Sequence, residues 1–322
     1  MKAIRVHAYG GPEVLSLEDV PMPEPKAGEV RIKVAAAGLN FIEIYQRSGI
    51  YPGNLPFALG TEAAGVVDAI GPGVKEVKLG DRVLTVAAQG AYAGYCIAPA
   101  AKCAPVPRSM DLKSAVTLGI QGMTAHYLAC DTFPLKPGHV CLIHAAAGGT
   151  GALLVQVARL RGATVIGTVG SEEKAKIARR AGANKVINYV THDFEAEVKK
   201  ITKGAGVDVV YDSVGKDTFD KSLNCLKPRG MMVLFGAASG PVPPFNAQIL
   251  NQKGSLFLTR PSLFAHISTR ADLLKKMRDL TRWIAAGQLK VKIDAEFSLA
   301  DAAQAHLYMS GRKTKGKVVI VP

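Results

Sequence analysis

Three glycines, Gly148, Gly149 and Gly151, close the run Val140–Gly151, V-C-L-I-H-A-A-A-G-G-T-G. The apolar stretch Val140–Ala146 reads as a buried strand. Ala152–Leu160 carries helical spacing, with Leu153, Val157 and Leu160 on one face. Strand, glycine turn and helix together can seat a dinucleotide pyrophosphate. It would lie on the helix N-terminus, against free N–H groups and the positive end of the helix dipole. Side chains at Gly148 or Gly149 would block that approach, and Gly151 lets helix and strand pack closely. Ala146 stands where the usual pattern has its first glycine.

The next strand, Ala163–Val169, speaks to which dinucleotide. An NAD site carries Asp or Glu at this strand's tip, about 20 residues after the first glycines, for the ribose hydroxyls. Here the tip is Gly170-Ser171, and Lys174 follows. Nothing at the tip repels a 2′-phosphate, and Ser171 and Lys174 can hydrogen-bond and neutralise one. Tyr189, closing a short strand Lys185–Tyr189, is a third partner. The pattern favours NADPH over NADH.

The elements that must position these residues alternate. Asp193–Ile201 and Phe219–Leu226 read as helices; Val207–Ser213, Met231–Phe235 and Ser255–Thr259 read as strands. Such alternation predicts a parallel sheet with helices on both faces. Val214-Gly215, Gly236-Ala237 and Thr259-Arg260 then fall at strand C-termini, where ligands of these sheets bind. Residues 1–100 differ. Lys2–Val6, Glu29–Ala37, Gly65–Ile70 and Arg82–Val86 are strand-like and separated by Gly/Pro turns, which predicts a β-rich, partly closed barrel. Leu112–Leu118 opens a more helical region. Lys317–Val321 is expected to return to the first domain.

A chain of 322 residues suggests two domains. At 48% hydrophobic and 20% charged residues it can bury large cores, which excludes extended disorder. No apolar run approaches the ~20 residues of a membrane helix. Met1–Val6 reads as a strand rather than a signal peptide, so a cytoplasmic protein without membrane insertion is expected. Cys96, Cys103, Cys130, Cys141 and Cys225 are scattered without a C-x-x-C pair and read as buried reduced thiols. The net charge of +14 is dispersed. Its densest clusters, Arg179-Arg180, Lys199-Lys200, Lys275-Lys276 and Arg312–Lys317, read as solvated faces, so nucleic acid is not the favoured partner. The seven histidines show no triad spacing; His144, inside the first nucleotide strand, reads as a packed core residue.

The stretch Gly138–Arg159 resembles the signature of the NADPH:quinone oxidoreductases, relatives of zeta-crystallin in the medium-chain dehydrogenase/reductase superfamily. So do Asn40–Tyr45 with Arg47-Ser48-Gly49 and Tyr51-Pro52, and Val186–Tyr189, Val210–Gly215, Leu250–Ser255 and Thr259–Ser262. The matches span essentially the whole chain, and the bacterial soluble enzymes look closest. The resemblance implies an α/β protein: a GroES-like β-rich catalytic domain (residues 1–122 and 262–322) split by a Rossmann doubly wound parallel-sheet domain (residues 123–261). It implies hydride transfer from nicotinamide C4 to a quinone or related electrophile. By the same resemblance Asn40 and Tyr45 line the nicotinamide and substrate cleft, with Tyr51 and Gln121 near its mouth. Thr124 touches the cofactor, and Gly148, Gly149 and Thr150 hold the pyrophosphate. Gly170, Ser171, Lys174 and Tyr189 hold the 2′-phosphate; Phe235, Gly236 and Leu258 flank the nicotinamide, and Arg312 makes a late cofactor contact. Thr150 stands where the family usually has valine. The family's edge strand, here Ser255–Thr259, commonly builds a homodimer.

Zinc alcohol dehydrogenases share the superfamily fold. Catalytic zinc needs about three Cys, His or carboxylate ligands. The segment supplying the first cysteine reads Gly38-Leu39-Asn40, and the Gly-His-Glu of zinc members becomes Gly60-Thr61-Glu62. No metal is expected, and Glu62 is expected to satisfy a buried backbone group or an arginine. Without a Lewis acid, acceptors that take hydride readily are favoured. Asn40 then serves the cofactor or the reduced oxygen, and Tyr45 or Tyr51 stabilises an oxyanion or gives a proton. Two alternatives stay open: an NADPH-dependent alkenal or enone double-bond reductase, and an NADPH-binding structural or RNA-associated crystallin-like protein.

Overall fold

The computed structural model describes residues 1–311 and 313–322, so Arg312 lies outside the described residues. The chain divides into two compact units: residues 1–121, 269–278 and 291–322, and residues 122–268 and 279–290. In chain order the strands are β1 (Lys2–Val6), β2 (Leu15–Asp19), β3 (Glu29–Leu39), β4 (Phe57–Ala58), β5 (Ala63–Ile70), β6 (Arg82–Thr85), β7 (Tyr95–Pro99) and β8 (Cys103–Pro105). They continue as β9 (Val140–Ile143), β10 (Thr164–Val169), β11 (Lys185–Asn188), β12 (Val207–Asp212), β13 (Leu226–Leu234), β14 (Phe257–Thr259), β15 (Ile293–Ser298) and β16 (Lys317–Val321).

The first unit holds a three-stranded sheet, β2-β1-β4, and a seven-stranded sheet, β15-β16-β3-β5-β6-β8, with β7 also paired to β3. β3 is the hub. Its first half alternates, with Val30, Ile32 and Val34 buried between the less buried Arg31 and Lys33. Its second half, Ala36–Leu39, is buried on both faces, so small residues and one leucine suit it. β16 returns from the C-terminus and pairs with that half, Val318 opposite Leu39. Five strands gave no clear signal in the sequence: β2, β4, β7, β8 and β15. β4 and β8 are two and three residues long, and β2 and β15 lie half-exposed.

The second unit is one parallel sheet in the order β11-β10-β9-β12-β13-β14. This is the doubly wound dinucleotide-binding order, which reverses between β9 and β12 and opens a crevice at their C-terminal ends. β12 is buried along its whole length, as a strand covered on both faces must be. The helix Gly149–Leu160 packs Leu153, Leu154, Val157 and Ala158 inward. It begins three residues before the apolar periodicity, because glycines leave no side-chain pattern to read. β9 ends at Ile143 rather than Ala146: Ala145 turns left-handed at φ 50°, and its carbonyl accepts from Gly148 N at 2.9 Å.

Candidate active site

In the second unit Gly148–Thr150, Gly170, Ser171, Lys174, Tyr189, Phe235 and Gly236 follow the C-terminal ends of strands; Leu258 and Thr124 do not. The helix N-terminus at Gly148–Thr150 follows β9. A Cβ on Gly151 would overlap the Ala145 carbonyl, so this glycine lets the helix lie against the turn. The methyl of Ala146, at the position of the missing first glycine, is accommodated elsewhere: a Cβ on Gly167 of β10 would stand 2.7 Å from it. Ser171 caps the helix Glu172–Arg180, its Oγ accepting from Lys174 N at 3.2 Å. Tyr189 lies across Gly170, where a Cβ would stand 2.6 Å from the Tyr189 hydroxyl, and the residue is 46% exposed. Gly170, Ser171, Lys174 and Tyr189 therefore lie together at the ends of β10 and β11, with Glu172 and Glu173 beside them in the first turn of the helix. A diphosphate would find free N–H groups at the glycine turn, and a 2′-phosphate would find hydroxyls and a lysine.

The loops after β12 and β13 meet. Gly215 and Gly236 are pressed against Ala237 and Ser213 respectively, and Phe235 N donates to Asp212 O at 2.8 Å. Asp212, fully buried, fixes its loop. Its Oδ1 accepts from Val214 N (2.7 Å) and Gly215 N (3.0 Å), and its Oδ2 accepts from the hydroxyls of Thr218 (2.7 Å) and Ser222 (3.3 Å). His144 joins this network through Ser222 Oγ and Thr168 Oγ1, each at 2.9 Å, and burial pushes its pKa below the usual histidine value. It is a hydrogen-bonded core residue, just past the end of β9. Leu258 sits within β14, half-buried opposite Met232. Thr124 is buried in the short helix Met123–Tyr127.

In the first unit Asn40 precedes the helix Phe41–Arg47 and is 7% exposed. Tyr45 and Tyr51 come together edge to face, ring centres 5.3 Å apart, and Tyr51 N donates to Tyr45 O at 3.0 Å. Tyr51 also lines an open cavity of about 530 Å³ with Gln46, Gly60, Thr61, Ala88 and Gln89. Gln121 is buried and belongs to the same unit.

Beneath Asn40 lies a charged cluster that the sequence did not announce. Glu43 Oε2 accepts from Asn40 N at 2.8 Å, and its Oε1 accepts from the Thr61 hydroxyl at 2.6 Å. Burial raises the Glu43 carboxyl to about 7, against the pull of Thr61 and Lys317. Glu62, also fully buried, accepts from Ile120 N, from the Lys317 ammonium and, at 3.0 Å, from Asn40 Nδ2. The partner expected for Glu62 was a backbone group or an arginine; it is a backbone N–H and a lysine. Lys317 itself is 0% exposed, and Lys276 is buried too, so neither lies on the solvated face expected of its cluster. Gly38 and Gly119 leave the space: a Cβ on either would overlap the Glu62 carboxylate. Cys96, Cys103, Cys141 and Cys225 are buried with their thiols pushed up by burial, Cys103 and Cys225 to about 12, which makes them poor nucleophiles; Cys130 is half-buried. Among the described residues no three His, Cys, Asp or Glu side chains are grouped to hold a metal.

The chain matches the alcohol dehydrogenase GroES-like domain over residues 26–136 and the zinc-binding dehydrogenase family over residues 149–286. It is 45% identical to quinone oxidoreductase 1 of Escherichia coli (strain K12), over 99% of each chain. The chain belongs to the quinone oxidoreductases of the medium-chain dehydrogenase/reductase superfamily. A 2-haloacrylate reductase of a Burkholderia species is 46% identical over 98% of each chain. The crystal structure of the Escherichia coli quinone oxidoreductase in complex with NADPH aligns over all of both chains with a TM-score of 0.98 at 44% identity. The fold is the α/β pairing of a GroES-like and a Rossmann domain that the sequence implied.

Proposed function

We propose that the protein reduces quinones with NADPH. The observation that carries this reading is the group of Gly170, Ser171, Lys174 and Tyr189 beside the glycine turn, which offers a 2′-phosphate hydroxyls and a cation and has no carboxylate at the tip of β10. When bound, NADPH supplies hydride from nicotinamide C4. Gly148, Gly149 and Thr150 hold the pyrophosphate, and Thr124, Phe235, Gly236, Leu258 and Arg312 make the remaining cofactor contacts. Asn40, Tyr45, Tyr51 and Gln121 orient the acceptor. The hydroxyls of Tyr45 and Tyr51, whose rings pack edge to face, stabilise negative charge arising on the acceptor oxygen. The domain bounds read from the sequence, residues 1–122 with 262–322 and residues 123–261, differ from the compact units in residues 122, 262–268 and 279–290, which fall in the unit of the parallel sheet. The protein works in the cytoplasm, as a homodimer. The six-stranded sheet ends at β14, whose Phe257 is 54% exposed, and such an edge invites a second copy to continue the ladder.

A second reading, reduction of an activated double bond, is favoured by the 46% identity to a 2-haloacrylate reductase. Steady-state NADPH oxidation with 1,4-benzoquinone, 9,10-phenanthrenequinone, an alkenal and 2-chloroacrylate in parallel separates the two. Turnover on the quinones with little on the alkenes is expected. Turnover on an alkene alone moves the assignment to double-bond reduction, and NADPH binding without turnover on any acceptor makes the protein a binding protein.

A further inference from the structure

We propose that Tyr9 is a positioning residue for the acceptor: it pins the loop of residues 48–56 and so fixes the place of Tyr51. The inference rests on the placement of Tyr45 and Tyr51 at the acceptor. The loop runs from the end of the helix Phe41–Arg47 to β4. Its first half is tied to that helix. Ser48 N donates to Ile44 O at 3.0 Å, Gly49 N to Gln46 O at 3.2 Å and Tyr51 N to Tyr45 O at 3.0 Å. Residues 52–55, among the described residues, hydrogen-bond to the rest of the chain through Tyr9 alone. The Tyr9 hydroxyl donates to Gly53 O at 2.6 Å and accepts from Gly53 N at 2.8 Å.

The Tyr9 ring makes a second contact. Gly49 is left-handed, φ 79°, and a Cβ there would stand 3.0 Å from Tyr9 Cγ. Only glycine meets both demands without strain. Tyr9 therefore touches the loop at Gly49 and at Gly53, on either side of Tyr51. Tyr9 is itself held near the helix end, because Gly10 N donates to Arg47 O at 3.1 Å. A phenol has one O–H to give. That of Tyr9 is spent on Gly53, so its part is to hold the loop rather than to meet the acceptor. Tyr51 needs such a frame: it is 45% exposed, so burial does not hold its ring. Where few buried contacts hold a segment, its backbone hydrogen bonds decide how often it opens.

Two variants test this. Tyr9→Phe keeps the ring against Gly49 and deletes both hydrogen bonds, and Tyr9→Ala deletes the ring as well. Each is checked for folding by circular dichroism. Hydrogen-exchange mass spectrometry then follows the peptide covering residues 48–56, and steady-state oxidation of NADPH by 1,4-benzoquinone gives KM and kcat. In Tyr9→Phe the loop amides should exchange about tenfold faster, the worth of two exposed neutral hydrogen bonds, while those of β12 keep the wild-type rate. KM for benzoquinone should rise about threefold with kcat within about twofold, since fewer molecules hold the competent loop. NADPH affinity should stay at the wild-type value, because Ser171, Lys174 and Tyr189 are untouched. Tyr9→Ala should enlarge both effects. Unchanged loop exchange overturns the proposal, and so does faster exchange with an unchanged KM. A loss of NADPH affinity in step with the rise in KM also overturns it, since that marks a general loss of structure. Wild-type protein that fails to oxidise NADPH with any quinone refutes the quinone-reductase reading instead, and loop exchange still decides whether Tyr9 pins the loop.

Discussion

In the 2′-phosphate site proposed above, Ser171, Lys174 and Tyr189 would set the cofactor choice, helped by the lack of a carboxylate at Gly170-Ser171, the tip of β10. A charge-assisted hydrogen bond to phosphate is worth about 1.5–3 kcal/mol. Lys174→Ala should therefore lower kcat/KM for NADPH about tenfold to a hundredfold and leave that for NADH nearly unchanged; equal losses with both cofactors would remove Lys174 from the 2′-phosphate. Two other residues make stability depend on pH in opposite senses. His306 is buried, both ring nitrogens lack partners among the described residues, and burial lowers its pKa from 6.5 to about 3. The unfolded chain then binds the proton that the fold refuses, so His306 costs stability as pH falls below 6.5. Glu43, raised from 4.5 to about 7, does the reverse and costs stability as pH rises above 4.5. Each contributes a slope of about 1.4 kcal/mol per pH unit where it acts alone, and His144 adds to the histidine side. Replacing His306 with phenylalanine should stabilise the protein more at pH 5 than at pH 8, by about 2 kcal/mol. Denaturant unfolding at the two pH values measures it, and an equal change at both would show that His306 does not titrate as described.

The glycine turn shows how elements carry the site. Gly151 lies so close to the Ala145 carbonyl that Gly151→Ala must move the helix Gly149–Leu160 off the turn. A cost of about 1–3 kcal/mol and weakened NADPH binding are expected, read by thermal unfolding and by fluorescence titration. Unchanged values for both would mean the turn yields freely. The parallel sheet was legible in the sequence because strands buried on both faces read as continuous apolar runs, as in Val207–Asp212. The 2′-phosphate corner was legible because its residues follow a strand tip in sequence. Gly167 was not: its role is to make room for the Ala146 methyl across two strands, a relation that exists only once β9 and β10 pair. Lys317 was read as solvated because it follows a basic run, yet its partners Asn40 and Glu62 lie more than 250 residues away. Nothing local signals a buried lysine whose counter-charge, Glu62, comes from the loop before β5.

At the scale of the whole molecule, the exposed edge at β14 predicts assembly. Analytical ultracentrifugation should give twice the 34.0 kDa chain mass, and Phe257→Lys should shift the protein toward monomer. A wild-type monomer at working concentration would count against pairing through this edge. The central claim is hydride transfer from NADPH to a quinone, and stopped-flow oxidation of NADPH deuterated at C4 tests it most directly. With 1,4-benzoquinone as acceptor we expect a single-turnover oxidation that requires the protein and slows when the transferred position carries deuterium. The same oxidation rate with and without the protein, for either label, would contradict the account.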